Sequence, residues 1–182
     1  ETGEEVASTE QPLSLAGAGH VGDGFGNSAS MTIAGLTACF LTQVSGRFRG
    51  TGEWVQITNV GGRWTLASHS LQGGGIAAHA MCVNYPMDQN TIKTWQKGQA
   101  PVALQKGGSC FLTTVQGEFA GGGEHFVFWK GSNEQWWVGG SSQAGGGLCA
   151  TAGCFGKGDL GTFTNRAKAS WDLDLVSYRA PN

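Results

Sequence analysis

The chain has 182 residues and a formal net charge of −2, and charged residues make up 13% of it. This balance argues against nucleic acid as a partner, because nucleic-acid binders need clustered Lys and Arg, and it offers no polybasic patch to a membrane surface. The 32 glycines lie between apolar stretches without a collagen period, which is typical of turns and bulges in a β-protein.

The chain opens with a segment, residues 1–18, that we interpret as a flexible lead-in, and we set Glu1–Gly3 aside as vector-derived. Three similar stretches then recur: FGNSASMTI from Phe25, WQKGQAPVAL from Trp95 and FTNRAKASWDL from Phe163. Each has an aromatic residue, several polar turn residues and an apolar-x-apolar ending, which is typical of a hairpin. No apolar run approaches the roughly 18 residues of a membrane helix, so we expect no membrane insertion.

Between the hairpins, a longer stretch occurs twice. CFLTQVSGRFRGTGEWVQIT from Cys39 parallels CFLTTVQGEFAGGGEHFVFW from Cys110. The match continues downstream with Trp64 and Trp136, Gly73–Gly75 and Gly145–Gly147, and Cys82 and Cys154. Such self-similarity predicts a tandem duplication. We therefore predict a first β repeat at 19–89, a second at 90–160 and a closing hairpin at 161–182, folded together as one domain.

Within each repeat, apolar residues alternate with other residues over short runs divided by glycine. Val55 and Ile57 in the first repeat correspond to Phe126 and Phe128 in the second. A period of two is the pattern of β-strands, and no stretch keeps a helical period for three turns. The sequence predicts an all-β protein with about four strands per repeat, built as an internally duplicated antiparallel β-sandwich or barrel-like double sheet with pseudo-two-fold symmetry.

The five cysteines form two matched pairs and one exception. Cys39 begins the first strand of its repeat and Cys82 ends the last, so antiparallel pairing of those strands brings the two together. By the same argument we predict the disulfides Cys39–Cys82 and Cys110–Cys154, which place the protein outside the cytoplasm. Cys149 has no counterpart and is predicted to be a free or intermolecular thiol. The alternative for all five is buried reduced cysteine in a cytosolic protein.

Two carboxylates, Glu53 and Glu124, recur in the repeats, each after Gly-x-Gly. A glycosidase needs its two carboxylates about 5–10 Å apart, whereas duplicated positions are separated by a whole repeat. We therefore favour a structural role, in which each carboxylate accepts hydrogen bonds from the N–H groups of its turn. Binding to sugar hydroxyls at two equivalent sites is a second role, and catalysis a third. The histidines, such as His69 and His79, do not recur, so we expect no metal and no cofactor.

Three tryptophans lie out of phase with the predicted core. Trp54 alternates with Val55 and Ile57, Trp129 with Phe128, and Trp137 directly follows Trp136. An aromatic ring flanked by short polar groups suits a sugar, because the ring buries the sugar's C–H face while its hydroxyls find donors and acceptors. The predicted ligand-binding residues are Trp54, Trp129, Trp137, Glu53, Glu124 and His125. The alternative is that a second sheet or another subunit covers these rings.

The module is duplicated and closed by disulfides, but no set of catalytic residues recurs in both copies. This pattern favours two similar binding surfaces over a single active site. The sequence therefore predicts a non-enzymatic extracellular recognition module, such as a lectin-like adhesin or a receptor-binding domain of a surface or fibre protein, whose partner is a glycan or a cell-surface protein. The first alternative is a structural or oligomerisation domain of an extracellular or virion assembly, which implies a homo-oligomer. The second is a secreted hydrolase that uses Glu53 or Glu124.

Overall fold

The computed structural model describes residues 15–21, 27–72, 75–119, 125–142, 146–156, 168–172 and 175–179, and all the regular elements in these ranges are β-strands. In chain order the strands are β1 (Leu15–Val21), β2 (Asn27–Ile33), β3 (Ala38–Arg47), β4 (Trp54–Val60), β5 (Arg63–His69), β6 (Ala77–Val83), β7 (Met87–Gln96), β8 (Val102–Lys106), β9 (Ser109–Gln116), β10 (His125–Lys130), β11 (Gln135–Ser141), β12 (Cys149–Phe155), β13 (Lys168–Asp172) and β14 (Leu175–Arg179). The predicted all-β class is confirmed.

The described strands form three antiparallel sheets. The first has six strands in the order β2-β5-β4-β9-β12-β7, the second has five in the order β1-β6-β3-β14-β13, and the third has three in the order β10-β11-β8. The six-stranded sheet takes three strands from each half of the chain. It is therefore a single surface to which both halves contribute.

The two halves use the same pairing scheme. In the first half β3 pairs with β6 and β4 with β5, and in the second β9 pairs with β12 and β10 with β11. The halves join where β4 pairs with the edge of β9 that faces away from β12. On β3, which corresponds to β9, the equivalent edge pairs with β14. The predicted two-fold relation and the repeat boundaries remain predictions, but the shared pairing scheme is what a duplication leads one to expect.

Matched residues of the two halves make matched contacts. The indole Nε1 of Trp64 donates to the carbonyl of Thr37 at 3.0 Å, and Nε1 of Trp136 donates to the carbonyl of Gly108 at 3.1 Å. Both acceptors lie two residues before the first cysteine of their repeat. A buried indole needs such a partner for its N–H group. Each tryptophan therefore fills the core and also holds the backbone directly before β3 or β9 in place.

Aromatic residues from the two halves meet in one core. Phe40 stacks on its counterpart Phe111 with ring centroids 4.1 Å apart, and Phe48 meets Phe119 edge-on at 5.6 Å. The backbone N–H of Phe119 also donates to the carbonyl of Phe48 at 2.9 Å. Since these rings are almost fully buried, the halves are held together by apolar burial as well as by strand pairing.

Both predicted disulfides are present. Cys39 lies opposite Cys82 in the β3–β6 pair, Cys110 lies opposite Cys154 in the β9–β12 pair, and all four residues are fully buried. The bonds thus link β3 to β6 and β9 to β12. Two disulfides are compatible with an oxidising compartment.

Strand β1 begins at Leu15, inside the segment interpreted as a lead-in, and its backbone pairs with β6. Strands β13 and β14 pair with each other inside the range 161–182 that was interpreted as a closing hairpin. Residues 163–167, with which the third hairpin-like stretch begins, lie outside the described residues. Over the described residues, no helix is long and apolar enough to cross a membrane.

Candidate functional site

A two-residue turn positions the first outward-facing aromatic pair. Gly61 and Gly62 join β4 to β5 with φ values of +57° and +79°, which is the type I′ geometry that suits the twist of a hairpin. The resulting register places Trp54 opposite His69. Their rings stack with centroids 5.5 Å apart and planes inclined by 12°, and His69 Nδ1 lies 2.9 Å from the carbonyl oxygen of Gly52.

A longer turn positions the second pair. Strands β10 and β11 are joined by a loop in which the N–H of Gly131 donates to the carbonyl of Gln135 at 2.8 Å. Close to this turn Trp129 lies opposite Trp137, and their rings stack with centroids 6.3 Å apart and planes inclined by 14°. Both rings are half-buried, and they lie on the face away from the core because Trp136 and Val138, which alternate with Trp137, are buried. This pair is a partly exposed aromatic platform on the three-stranded sheet.

The three predicted tryptophans therefore do not form one site. Trp54 belongs to the six-stranded sheet, whereas Trp129 and Trp137 belong to the three-stranded sheet. His125 lies on β10 opposite Ser141. Its side chain points outward, as do those of the exposed Val127, two residues further on, and of Trp129, four residues further on. The structure thus brings His125 to the sheet face that carries Trp129 and Trp137, and leaves Trp54 with His69.

Glu53 has a structural environment. Its side chain is fully buried, and its carboxylate accepts hydrogen bonds from the backbone N–H of Arg49, from that of Gly50 at 3.2 Å and from the hydroxyl of Ser70 at 3.1 Å. This confirms the expectation that the carboxylate serves its own turn. Because Glu53 has no exposed surface, we leave it out of the binding surface proposed below. Glu124 lies outside the described residues.

Cys149 lies on the outer face of β12. It is half-buried, and it alternates with Leu148 and Ala150, which are almost fully buried. Burial raises the pKa of the Cys149 thiol above its ordinary value, and a hydrogen bond with Thr151 partly opposes this shift. The thiolate is the reactive form, so this thiol is accessible but weakly nucleophilic at neutral pH.

We expect native, non-reduced protein to take up one equivalent of iodoacetamide, at Cys149, more slowly than a small free thiol does at pH 7.5. The rate should rise as the pH approaches the raised pKa, because the thiolate fraction rises. Intact mass spectrometry over time measures this, with Cys149→Ala as the blank. Uptake of more than one equivalent, or a rate at pH 7.5 equal to that of the small thiol, would contradict the prediction.

Sequence reasoning missed a row of side chains that crosses the six-stranded sheet. From β5 to β7 the cross-strand partners are His69, Trp54, Gln116, Cys149 and Gln96. Alternation could have shown that Gln116 faces outward, since it follows the buried Val115. It could not show that β9 lies beside β4, because that pairing joins residues far apart in the sequence.

The described residues define an all-β, disulfide-linked domain with an aromatic pair on the outer face of two of its sheets. No group of three or more His, Cys, Asp or Glu side chains among them is arranged to hold a metal ion. Comparison with family models, with curated proteins and with solved structures finds no match to this chain.

Proposed function

We propose that the protein is a non-enzymatic extracellular recognition module that binds carbohydrate on its outer sheet faces. The observation that carries the proposal is the Trp129–Trp137 pair, two parallel indoles that remain half-exposed on the face away from the core. A half-exposed indole platform leaves apolar area in water unless a ligand covers it. The C–H face of a sugar ring can cover it, while neighbouring polar groups bind the sugar's hydroxyls.

The surroundings of the platform support a small polar ligand. Ala103 of β8 lies opposite Trp137, and a Cβ atom on Gly131 would lie 3.6 Å from the indole Nε1 of Trp137, so small residues border the ring. His125 on the same face supplies ring nitrogens for hydrogen bonding. The two disulfides support an extracellular location.

We expect Trp137→Ala and Trp129→Ala to lower the affinity for a bound glycan at least tenfold, because each removes stacking area worth about 1.4 kcal/mol or more. A glycan array identifies the ligand, and isothermal titration with that glycan measures the loss. The control is Leu36→Ala in the turn between β2 and β3, where an apolar side chain is already 72% exposed. Unchanged affinity in both tryptophan variants would contradict the role of the platform.

The same variants separate the proposal from an assembly domain. A recognition module should keep its particle size when Trp129 or Trp137 becomes alanine, whereas an assembly domain that associates through these rings should dissociate. Light scattering on the wild type and the two variants distinguishes the outcomes. For a hydrolase, Glu53 is unsuitable because it is fully buried, so Glu124→Gln is the variant that would abolish turnover.

A further inference from the structure

The outer face of the six-stranded sheet has an unusual composition. Apart from the row of Ile33, Arg63 and Val60 beside the β4–β5 turn, the outward side chains along these strands are mainly hydroxyls, amides, one alanine, one thiol and the Trp54–His69 stack. We call this the uncharged face, and its members are Ser28 and Ser30 of β2, Thr65, Ala67 and His69 of β5, Trp54, Gln56 and Thr58 of β4, Thr114 and Gln116 of β9, Cys149 and Thr151 of β12, and Thr94 and Gln96 of β7. Apart from His69 when protonated, none of these side chains carries a formal charge.

The strand register arranges these side chains in rows. Gln56, Thr114 and Thr151 are successive cross-strand partners, and the row continues to Thr94, whose Oγ1 lies 2.8 Å from Oγ1 of Thr151. With strands about 4.8 Å apart, six strands give rows roughly 24 Å long. The rows pass from one repeat to the other through the β4–β9 pair, so neither repeat contains the face alone.

Charged side chains border the face. Arg63 lies at one end and donates through Nε to the hydroxyl of Ser30 at 3.0 Å, and at another end Glu118 accepts a hydrogen bond from the N–H of Gly146 at 3.3 Å. Lys93 lies within the outermost strand, β7, and Lys97 directly follows that strand. An acidic chain would need cations along the rows, because anionic polymers are held by paired Lys and Arg.

The face also differs from a protein interface. Sheets that pack on other sheets, and the cores of protein interfaces, are apolar with several aromatic residues. Here one indole is surrounded by hydroxyls and amides that can each donate and accept hydrogen bonds. A ligand with many hydroxyls, no charge and an apolar ring face satisfies both the polar groups and the indole.

We propose that the uncharged face binds a neutral polysaccharide, whose chain runs along the rows and stacks one sugar ring on Trp54. This inference rests on the proposed carbohydrate-binding function and adds the ligand class and a second surface, distinct from the Trp129–Trp137 platform. A site that crosses from one repeat to the other also gives the duplication a purpose, since it doubles the length of polymer that one domain can hold.

The test is affinity electrophoresis in native gels that contain a neutral polysaccharide (galactomannan, hydroxyethyl cellulose or dextran) or an acidic one (alginate or hyaluronan). Thr114→Lys places a charged side chain in the centre of the face, and Trp54→Ala removes the stacking ring. Ala103→Lys and Trp137→Ala make the corresponding changes on the three-stranded sheet. Circular dichroism checks that each variant is folded.

We expect at least one neutral polysaccharide to retard the wild type, and Thr114→Lys and Trp54→Ala to lose at least tenfold in affinity, whereas the control Leu36→Ala, in the exposed turn between β2 and β3, keeps its affinity. Loss of affinity in Ala103→Lys and Trp137→Ala, with none in Thr114→Lys and Trp54→Ala, would overturn the inference and leave the proposed function standing. Retardation by acidic polysaccharides alone, removed by salt, would also overturn the inference. If no polysaccharide retards the protein, the inference fails, and an empty glycan array would then be needed to reject the proposed function.

If Thr114→Lys is itself misfolded, Gln116→Ala takes its place. Gln116 lies between Trp54 and Cys149 in its row, is half-buried, and its amide Nε2 lies 3.4 Å from the carbonyl oxygen of Thr51. Its truncation removes a donor and an acceptor without adding charge, and should weaken neutral-polysaccharide binding several-fold. Unchanged binding in both Gln116→Ala and Trp54→Ala would overturn the inference.

Discussion

Alanine at position 46 should prevent the protein from folding stably. Gly46 has φ +121°, and a Cβ atom there would lie 2.6 Å from the carbonyl oxygen of Gly75 and 2.6 Å from the Cα atom of Ile76. Both are backbone atoms, so no rotamer change relieves the overlap. We expect a loss of roughly 3–5 kcal/mol in the free energy of unfolding, from the disfavoured backbone conformation together with the overlap. Such a loss is a large fraction of a typical domain's stability.

The control for this prediction is Gly98→Ala. Gly98 also has positive φ, +84°, but nothing lies within 4 Å of its added Cβ, so only the backbone cost of about 1–2 kcal/mol remains. Gly117 has φ +120°, and an added Cβ atom would lie 2.7–2.8 Å from backbone atoms of Gly147 and Leu148, so Gly117→Ala should be as harmful as Gly46→Ala. Urea unfolding followed by circular dichroism measures all three. A Gly46→Ala loss no larger than that of Gly98→Ala would contradict the structure of this strand.

Removal of either disulfide by a double alanine substitution should destabilise the protein by about 3–4 kcal/mol, since each bond closes a loop of similar length in the unfolded chain. The sequence separations are 43 for Cys39–Cys82 and 44 for Cys110–Cys154, so the two losses should agree within about 1 kcal/mol. Removal of both should leave little or no folded protein. Urea unfolding of the non-reduced variants provides the measurement.

Cys149→Ala is the matched control for the disulfide variants. It removes a half-buried thiol from the outer face without opening a loop, and should change the free energy of unfolding by no more than about 0.5 kcal/mol. A cost below 1 kcal/mol for Cys39→Ala with Cys82→Ala would show that the first disulfide is not formed in solution. Peptide mapping without reduction gives the independent assignment.

Local patterns in the sequence predicted the parts of the fold that depend on them. Alternation with a period of two identified strands, and the spacing of Cys39 and Cys82 at opposite ends of a repeat identified partners in adjacent antiparallel strands. The duplication then transferred the argument to the second half. Trp64 and Trp136, which the duplication matched to each other, are each almost fully buried.

Long-range pairing was not predictable in this way. Nothing in the local sequence of β4 specifies β9 as its neighbour, and that pair decides which outward side chains share a surface. Trp54 was therefore grouped with Trp129 and Trp137, although they lie on different sheets. The alternation pattern shows which side chains point outward, but it did not reveal that His69 stacks on Trp54. The neighbour of a side chain across the sheet depends on the strand register.

The disulfides also determine how the protein responds to a pulling force. They connect β3 to β6 and β9 to β12, so tension applied along the chain passes through the covalent bond and bypasses the strands between. At about 3.5 Å per residue, roughly 150 Å of chain in each repeat is protected from extension. A tethered copy can therefore lose its terminal strands under load while β4, β5, β10 and β11, which carry Trp54, Trp129 and Trp137, remain inside covalently closed loops.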